Sequence, residues 1–341
     1  MSMKEVIVDP DLEKTKIVES PIPSPGPHEV LIKVVVSGSN PKDWKFPVYS
    51  NTPMNSGDDI AGVVEKLGSE VHGLHVGDRV AAFHEMGKPH GSFAEYAIAY
   101  DYCTFLIPDS LSFEAAATLP LATLTGAYGL FDILGLPTPW RPATEEIPLI
   151  IYGASTSVGY FSIQLAKLAG IHPIIGVAGK SKQVALDAGC DFVVDYTATD
   201  DIPAAIRSYL KPGQKLTYAW DCISEKGSTE AVVAALEPGM GSKIAHILPE
   251  AFEPEKLAKF GVDIKVESVG AAHSEDPARR DFAWVFYQQL SKWLFEGRYK
   301  THSYVAVEGG LASVSKGLAD LMAHKVSGHK NVYRIADTPG L

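Results

Sequence analysis

With 341 residues, 46% of them hydrophobic and 21% charged, the chain has material for a sizeable core and the length for two domains. A net charge of −11 disfavours nucleic acid or an anionic membrane as a partner. The three cysteines (Cys103, Cys190 and Cys222) are scattered and form no CxxC pair, so neither a disulfide framework nor a cysteine zinc site is indicated; the charged, acidic N-terminus and the lack of a membrane-length apolar run make a cytoplasmic protein the expectation.

In chain order, residues 4–8 and 15–19 read as short strands about a turn, and the proline-rich stretch 21–27 as an extended linker. Residues 28–36 alternate and are rich in β-branched side chains, a strand pattern. Residues 37–45 (SGSNPKDWK) form a loop entering a short helix, with Asn40–Pro41 initiating the turn. A loop leads into a further β-rich run over 56–67, and 79–83 and 91–99 read as strands. So many short strands over roughly the first 110 residues suggest a β-rich domain. Composition then shifts to Ala, Leu and Thr. Residues 112–134 read as helices capped by Ser112, followed by a surface loop at 137–148 with four prolines.

From residue 149 strand and helix patterns alternate. Strands are expected near Ile150, Ile175, 192–194, 218–220, 243–247 and 264–266, with helices between them, which argues a parallel sheet covered on both faces. Residues 270–281 read as a polar loop. Residues 282–295 read as an aromatic helix whose Trp284, Phe286, Tyr287 and Trp293 face a core or a domain seam. The remainder returns to strand, helix and strand, ending in HKNVYRI.

The stretch 149–170 organises the chain. An apolar strand (149–152) runs into a turn of small residues (153–159), then a helical pattern over 160–168 closed by Gly170. This is the opening of a dinucleotide-binding βαβ unit. Backbone N–H groups around Gly153, Ser155, Thr156, Ser157, Val158 and Gly159 can approach a pyrophosphate, and the helix N-terminus adds partial positive charge. Turns of this composition also join strands to helices with no ligand. The end of the next strand strengthens the reading. An NAD-binding unit carries an acid there for the ribose 2′-hydroxyl, whereas this chain has Gly179, Lys180, Ser181 and Lys182. Two lysines and a hydroxyl attract the 2′-phosphate that a carboxylate would repel, which points to NADP(H) over NAD(H). A solvated basic helix start is the other reading of these residues.

Six segments in order, SGSNPKDWK, GDDIAGVVEKLGSEVHGLHVGDRVAAF, GSFAEYA, LPLATLTGAYGLF, AGCDFVVDY and HKNVYRI, resemble the medium-chain dehydrogenase/reductase family over nearly the whole length. Within it the chain resembles the zinc-free, quinone-oxidoreductase-like branch. The resemblance implies an α/β protein: a Rossmann doubly wound parallel sheet at 125–275, inserted into a discontinuous β-rich, GroES-like catalytic domain at 1–124 and 276–341. It places the active site in the cleft where the nicotinamide meets the β-rich domain. Zinc members carry Cys and Gly-His-Glu where this chain has residues 37–40 and Gly57, Asp58 and Asp59. His72, His75, His84 and His90 lack the spacing of a three-ligand site, so no metal is expected. Thr156 and Ser157 stand where quinone reductases usually have a glycine. That turn, and the loops 137–148 and 270–281, resemble the fungal trans-acting enoyl reductases that partner polyketide synthases.

The implied reaction is NADPH-dependent, zinc-independent reduction of an activated double bond, an enoyl thioester on a small molecule or a carrier. By the resemblance, Asn40, Lys45 and Thr125 meet the charge that grows on the carbonyl oxygen. Asn40, Pro41, Lys42 and Asp43 hold the nicotinamide side, and Tyr196 the adenine side. Ile247, Leu248, Val332 and Tyr333 line the cofactor with their backbone, and 126–133 with 267–271 line an acyl pocket. Lys45 reads equally as a solvated lysine, and Thr125 as a capping or packing residue. No acid stands out as the proton donor. A quinone or enone oxidoreductase, and an NADPH-binding protein without turnover, are the alternative functions.

Overall fold

In the computed structural model, which describes residues 2–239, 241–248, 257–266 and 269–341, the chain divides into two units. One comprises residues 1–121 with 270–341, the other 122–269. The sequence reading puts the junctions at 124/125 and 275/276.

The first unit is built on short strands. β1 (Ser2–Ile7) and β2 (Lys16–Pro21) form an antiparallel hairpin. β3 (Glu29–Gly38), β4 (Asp59–Leu67), β5 (Arg79–Phe83), β6 (Tyr96–Tyr100) and β7 (Thr104–Leu106) follow. Alternate residues Val30, Ile32 and Val34 of β3 are buried with Ile60, Val64, Val80 and Ala82 in one core, the period-2 burial of a sheet packed on one face. β6 is shorter than the expected run over 91–99: residues 91–95 lie outside the strand, although Phe93 is fully buried.

Among the described residues, the second unit holds six strands: β8 (Leu149–Tyr152), β9 (Ile174–Ala178), β10 (Phe192–Asp195), β11 (Tyr218–Asp221), β12 (Lys243–His246) and β13 (Asp263–Val266). All pairings are parallel and the spatial order is β10-β9-β8-β11-β12-β13. This is the doubly wound order whose reversal, between β8 and β11, opens a ligand crevice at the carboxyl ends of the strands. β9 is buried along its whole length, as expected for a strand covered on both faces.

The chain then returns to the first unit with β14 (Tyr304–Ala306) and β15 (Lys330–Arg334). β15 lies antiparallel to β3, Val332 opposite Gly38 and Tyr333 opposite Ser37, and completes a sheet ordered β14-β15-β3-β4-β5-β7, with β6 also on β3.

Several expected boundaries change. The organising helix spans Ser157–Leu168, starting three residues before the expected 160 because Thr156 caps it. The segment 112–134 breaks into Phe113–Ala116, Pro120–Ala127 and a π-helical turn, Tyr128–Ile133. The Ser112 hydroxyl does cap the first, accepting the Ala115 N–H at 3.2 Å. Residues 270–281 are not one loop. Val269–His273 form a 3-10 turn, and a helix runs Pro277–Phe295, its start fixed by the Asp276 cap and by proline in the first turn. On that helix Phe286, Tyr287 and Trp293 are buried as expected, but Trp284 is 52% exposed. No helix among the described residues is long and apolar enough to cross a membrane.

Candidate functional site

In the second unit the candidate cofactor residues gather at the carboxyl ends of the strands. Gly153 leaves β8 at φ 75°, a conformation that favours glycine, and a Cβ there would lie 2.7 Å from Ile223. Its N–H and that of Ala154 both reach the Val177 carbonyl at 3.0 Å, so the turn is pinned to β9. Thr156 Oγ1 accepts the Gly159 N–H at 3.1 Å. The N–H groups of Ser157 and Val158, in the same first turn, have no acceptor within the helix, which is the arrangement that binds phosphate. Gly159 admits no larger residue: a Cβ would stand 2.3 Å from the Gly153 carbonyl oxygen.

The two neighbouring crevice walls follow from short hydrogen-bond chains. Asp221, fully buried at the end of β11, accepts the Ile223 and Ser224 N–H groups at 3.0 and 2.9 Å and the hydroxyls of Ser228 and Thr229 at 2.7 and 2.8 Å. Ser224 Oγ in turn accepts the Ile247 N–H at 2.9 Å, which fixes the segment carrying Ile247 and Leu248 beyond β12. Across β9, the Tyr196 ring covers Gly179, where a Cβ would meet it at 2.7 Å; the ring is 48% exposed. Lys180 is exposed beside it, and Lys182 forms an exposed ion pair with Asp195 at 3.2 Å. A flat aromatic face, two ammonium groups and a helix start thus stand at the end of β9. These residues would suit a dinucleotide, whose pyrophosphate the glycine turn could hold.

In the first unit the candidate residues sit in a network of buried charge. Asp43 Oδ2 accepts the Asn40 N–H at 2.8 Å, closing the turn that starts the helix Lys42–Ser50. The Lys42 ammonium pairs with Asp43 at 3.0 Å and with Asp58, and donates to the Ser56 carbonyl at 2.5 Å. Asp43, Asp58 and Asp59 are all fully buried. Burial pushes the Asp43 and Asp58 carboxyls up, to about 7 and about 6, against the pull of Lys42. Burial alone would lower the Lys42 ammonium, but the Asp58 and Asp43 charges outweigh it and leave it raised. Lys330, 3% exposed, pairs with Asp59 and donates to Asn40 Oδ1 at 3.0 Å. Asp59 also accepts the Asn40 Nδ2–H at 2.8 Å and the Leu121 N–H at 2.7 Å. Asp58 and Asp59, aligned by the resemblance with the His and Glu of zinc relatives, are therefore already paired with lysines. His84, one of four histidines noted in the sequence, lies buried with its ring nitrogens facing the Ile98 and Lys88 carbonyls. Among the described residues no group of three or more potential metal ligands forms.

The structure places the other expected residues less evenly. Lys45 is half-buried, its ammonium 5.6 Å from the Trp44 ring centre. Thr125 is buried in the helix Pro120–Ala127. Pro41 is exposed. Lys42 is committed to its two aspartates. Val332 and Tyr333 are fully buried, with the Tyr333 hydroxyl donating to Ser39 Oγ at 3.4 Å, so they offer at most backbone. In the expected acyl pocket, Gly126 packs against Ser162 and Gly129 against Trp220; Glu267 and Ser268 lie outside the described residues. Asp59, Asp221, Ser224 and Lys330 carry the geometry but were not expected. Two of them had a signal: Lys330 stands in HKNVYRI, and Asp59 in GDDIAGVVEKL.

Residues 26–109 match the family model of the alcohol dehydrogenase GroES-like domain, and 157–245 that of the zinc-binding dehydrogenases. Trans-enoyl reductase fsr4 of Gibberella fujikuroi is 37% identical over 319 residues, spanning 90% of this chain and 91% of that protein. The chain belongs to the medium-chain dehydrogenase/reductase family. Members of the family with solved structures share its fold throughout. An alcohol dehydrogenase superfamily protein from Novosphingobium aromaticivorans superposes with a TM-score of 0.83 at 19% identity, covering 97% of this chain and 99% of that one. A mycobacterial protein solved with NADPH gives 0.75 at 23% identity, covering 97% and 99%. These likenesses, both below 25% identity, show the shared fold.

Proposed function

We propose that this chain reduces the activated double bond of an enoyl thioester with NADPH, without a metal, and that its acyl substrate is carried by a partner polyketide synthase. The observation that carries the cofactor choice is the end of β9, where Lys180 and Ser181 stand in place of an acid and Tyr196 covers Gly179. The substrate class rests on kinship with proteins named trans-enoyl reductases.

NADPH, when bound, supplies the hydride; the protein supplies orientation and charge. The turn from Gly153 to Gly159 holds the pyrophosphate through backbone N–H groups, and Lys180, Ser181 and Lys182 hold the 2′-phosphate. Asn40, Lys45 and Thr125 donate to the substrate carbonyl oxygen, where negative charge develops.

Replacing Lys180 and Ser181 by alanine should weaken NADPH binding by about 1.5–3 kcal/mol per lost charge-assisted bond and leave NADH nearly unaffected. Equal losses for both cofactors would place the phosphate elsewhere. Lys45→Ala and Thr125→Val should each lower enoyl-thioester turnover about tenfold or more, the scale of one lost oxyanion donor. Quinone turnover, which needs no such donor, should change less. Quinone reduction far faster than that of any thioester, with both variants silent, replaces this reading by the quinone one.

A further inference from the structure

We propose that Lys330 is a positioning residue: with Asp59 it clamps the Asn40 carboxamide, so that Asn40 presents one N–H in a fixed direction to the reacting carbonyl. The inference rests on the placement of Asn40 in the reaction given above.

The clamp follows from strand register. β15 pairs with β3 so that Val332 lies opposite Gly38. Antiparallel pairing brings the residue two before Val332 towards the residue two beyond Gly38, and these are Lys330 and Asn40. Lysine is almost never fully buried unless it is paired, yet Lys330 is only 3% exposed. Its ammonium pairs with Asp59 and donates to Asn40 Oδ1 at 3.0 Å, while Asn40 Nδ2 donates to Asp59 at 2.8 Å. Three side chains close a triangle of charge and dipole.

The triangle decides which way the amide faces. A flipped Asn40 would set its oxygen against the Asp59 carboxylate and its NH2 against the ammonium, two repulsions in a buried site. The carboxamide is therefore held in one orientation, its second Nδ2 hydrogen in a set direction. A buried ion pair is weak evidence of a stabilising role, since an apolar pair of similar volume often does as well. Fixing a donor in advance is a use for the pair that apolar residues cannot supply.

The test is a cycle in the full chain. Lys330→Met alone strands a buried carboxylate and can fail to fold, so the decisive variant is Lys330→Met with Asp59→Asn, which removes both charges together. Three quantities are read: thermal midpoint, NADPH affinity by fluorescence titration, and kcat and KM on an enoyl thioester. The proposal expects a folded double variant, NADPH affinity within about threefold of wild type, and kcat lowered about tenfold or more at little-changed KM. Asn40→Ala should cause the same loss, and combining it with the double variant should add nothing, because Lys330 acts through Asn40. Wild-type kcat in the folded double variant, or losses that multiply in the combination, overturns the proposal. A double variant that does not fold gives Lys330 a structural role and overturns it as well. A wild type that reduces quinones but no enoyl thioester overturns the substrate reading and this proposal with it, an outcome read on the wild type alone and so distinct from failure of the clamp in the variants.

Discussion

Around Gly153 the polypeptide offers backbone N–H groups, a threonine cap and a glycine packed against a carbonyl, above strands of buried aliphatic side chains. Around Asn40 it buries three carboxylates against two ammonium groups. The first arrangement is made from residues close in sequence and is intolerant of volume. The second draws on residues as distant as Asn40 and Lys330 and is intolerant of unbalanced charge. A site built from backbone needs little desolvation of ions; one built from buried ions fixes directions but depends on every partner being present.

The contrast can be broken most sharply at Lys42. Lys42→Met leaves Asp43 and Asp58 buried without their cation and should cost about 3–5 kcal/mol of stability, towards the lower end because the lysine is partly solvated. Denaturant unfolding measures it, and a variant as stable as wild type would show that the cation does not hold this cluster together. In the other unit the corresponding insult is one methyl group. Gly159→Ala places a Cβ against the Gly153 carbonyl and should cost about 1–3 kcal/mol, with NADPH affinity falling as the turn shifts. Unchanged affinity would mean that the turn can relax around the added carbon.

The charged cluster should also respond to pH. Asp43 and Asp58 have folded-state pKa values raised to about 7 and about 6, above their ordinary value of 3.8. A raised carboxyl binds its proton more tightly when folded, so its contribution is fully present below that ordinary value and is lost as pH rises through the folded pKa. Stability should therefore decline across this window. Asp58→Asn should gain on wild type as the pH rises from 4 to 7, seen as a widening difference in Tm. A difference constant with pH would remove Asp58 from the titration. The smallest effect belongs to the helix cap: Thr156→Ala should cost about 1 kcal/mol, with the helix otherwise intact. A loss well beyond that would give the hydroxyl a larger part in the turn than capping.

Legibility in the sequence follows the same division. The strands near Ile150, Ile175 and Tyr218 and the short strands of the first unit announced themselves by apolar runs and alternation, which are local signals. The start of the helix at Ser157 was hidden because its first turn is polar and small, so the apolar period begins later than the hydrogen bonding. The helix from Pro277 was masked in the same way by its polar first turns, although Asp276–Pro277 is a start signal in plain view. Trp284 looked like core because aromatic residues surround it in sequence, but it lies on the exposed side of the helix. The glycine turn and the basic residues after β9 could be nominated because spacing along one βαβ unit dictates them, whereas Asn40, Tyr196, Val332 and Tyr333 were nominated only through the family resemblance. The triangle of Asn40, Asp59 and Lys330 could not be read, since only strand register brings its members together.

The placement of β15 has a consequence for how the molecule is made. Residues 122–269 form a continuous stretch, so their parallel sheet can assemble as the segment leaves the ribosome. The sheet of the first unit cannot. Until residues 330–334 have been synthesised, the end of β3 from Val36 to Gly38 is an open edge, and Asp59 has no ammonium to neutralise it. Until then the nascent chain carries a half-finished sheet with an unbalanced carboxylate, and β15 is the strand that closes it.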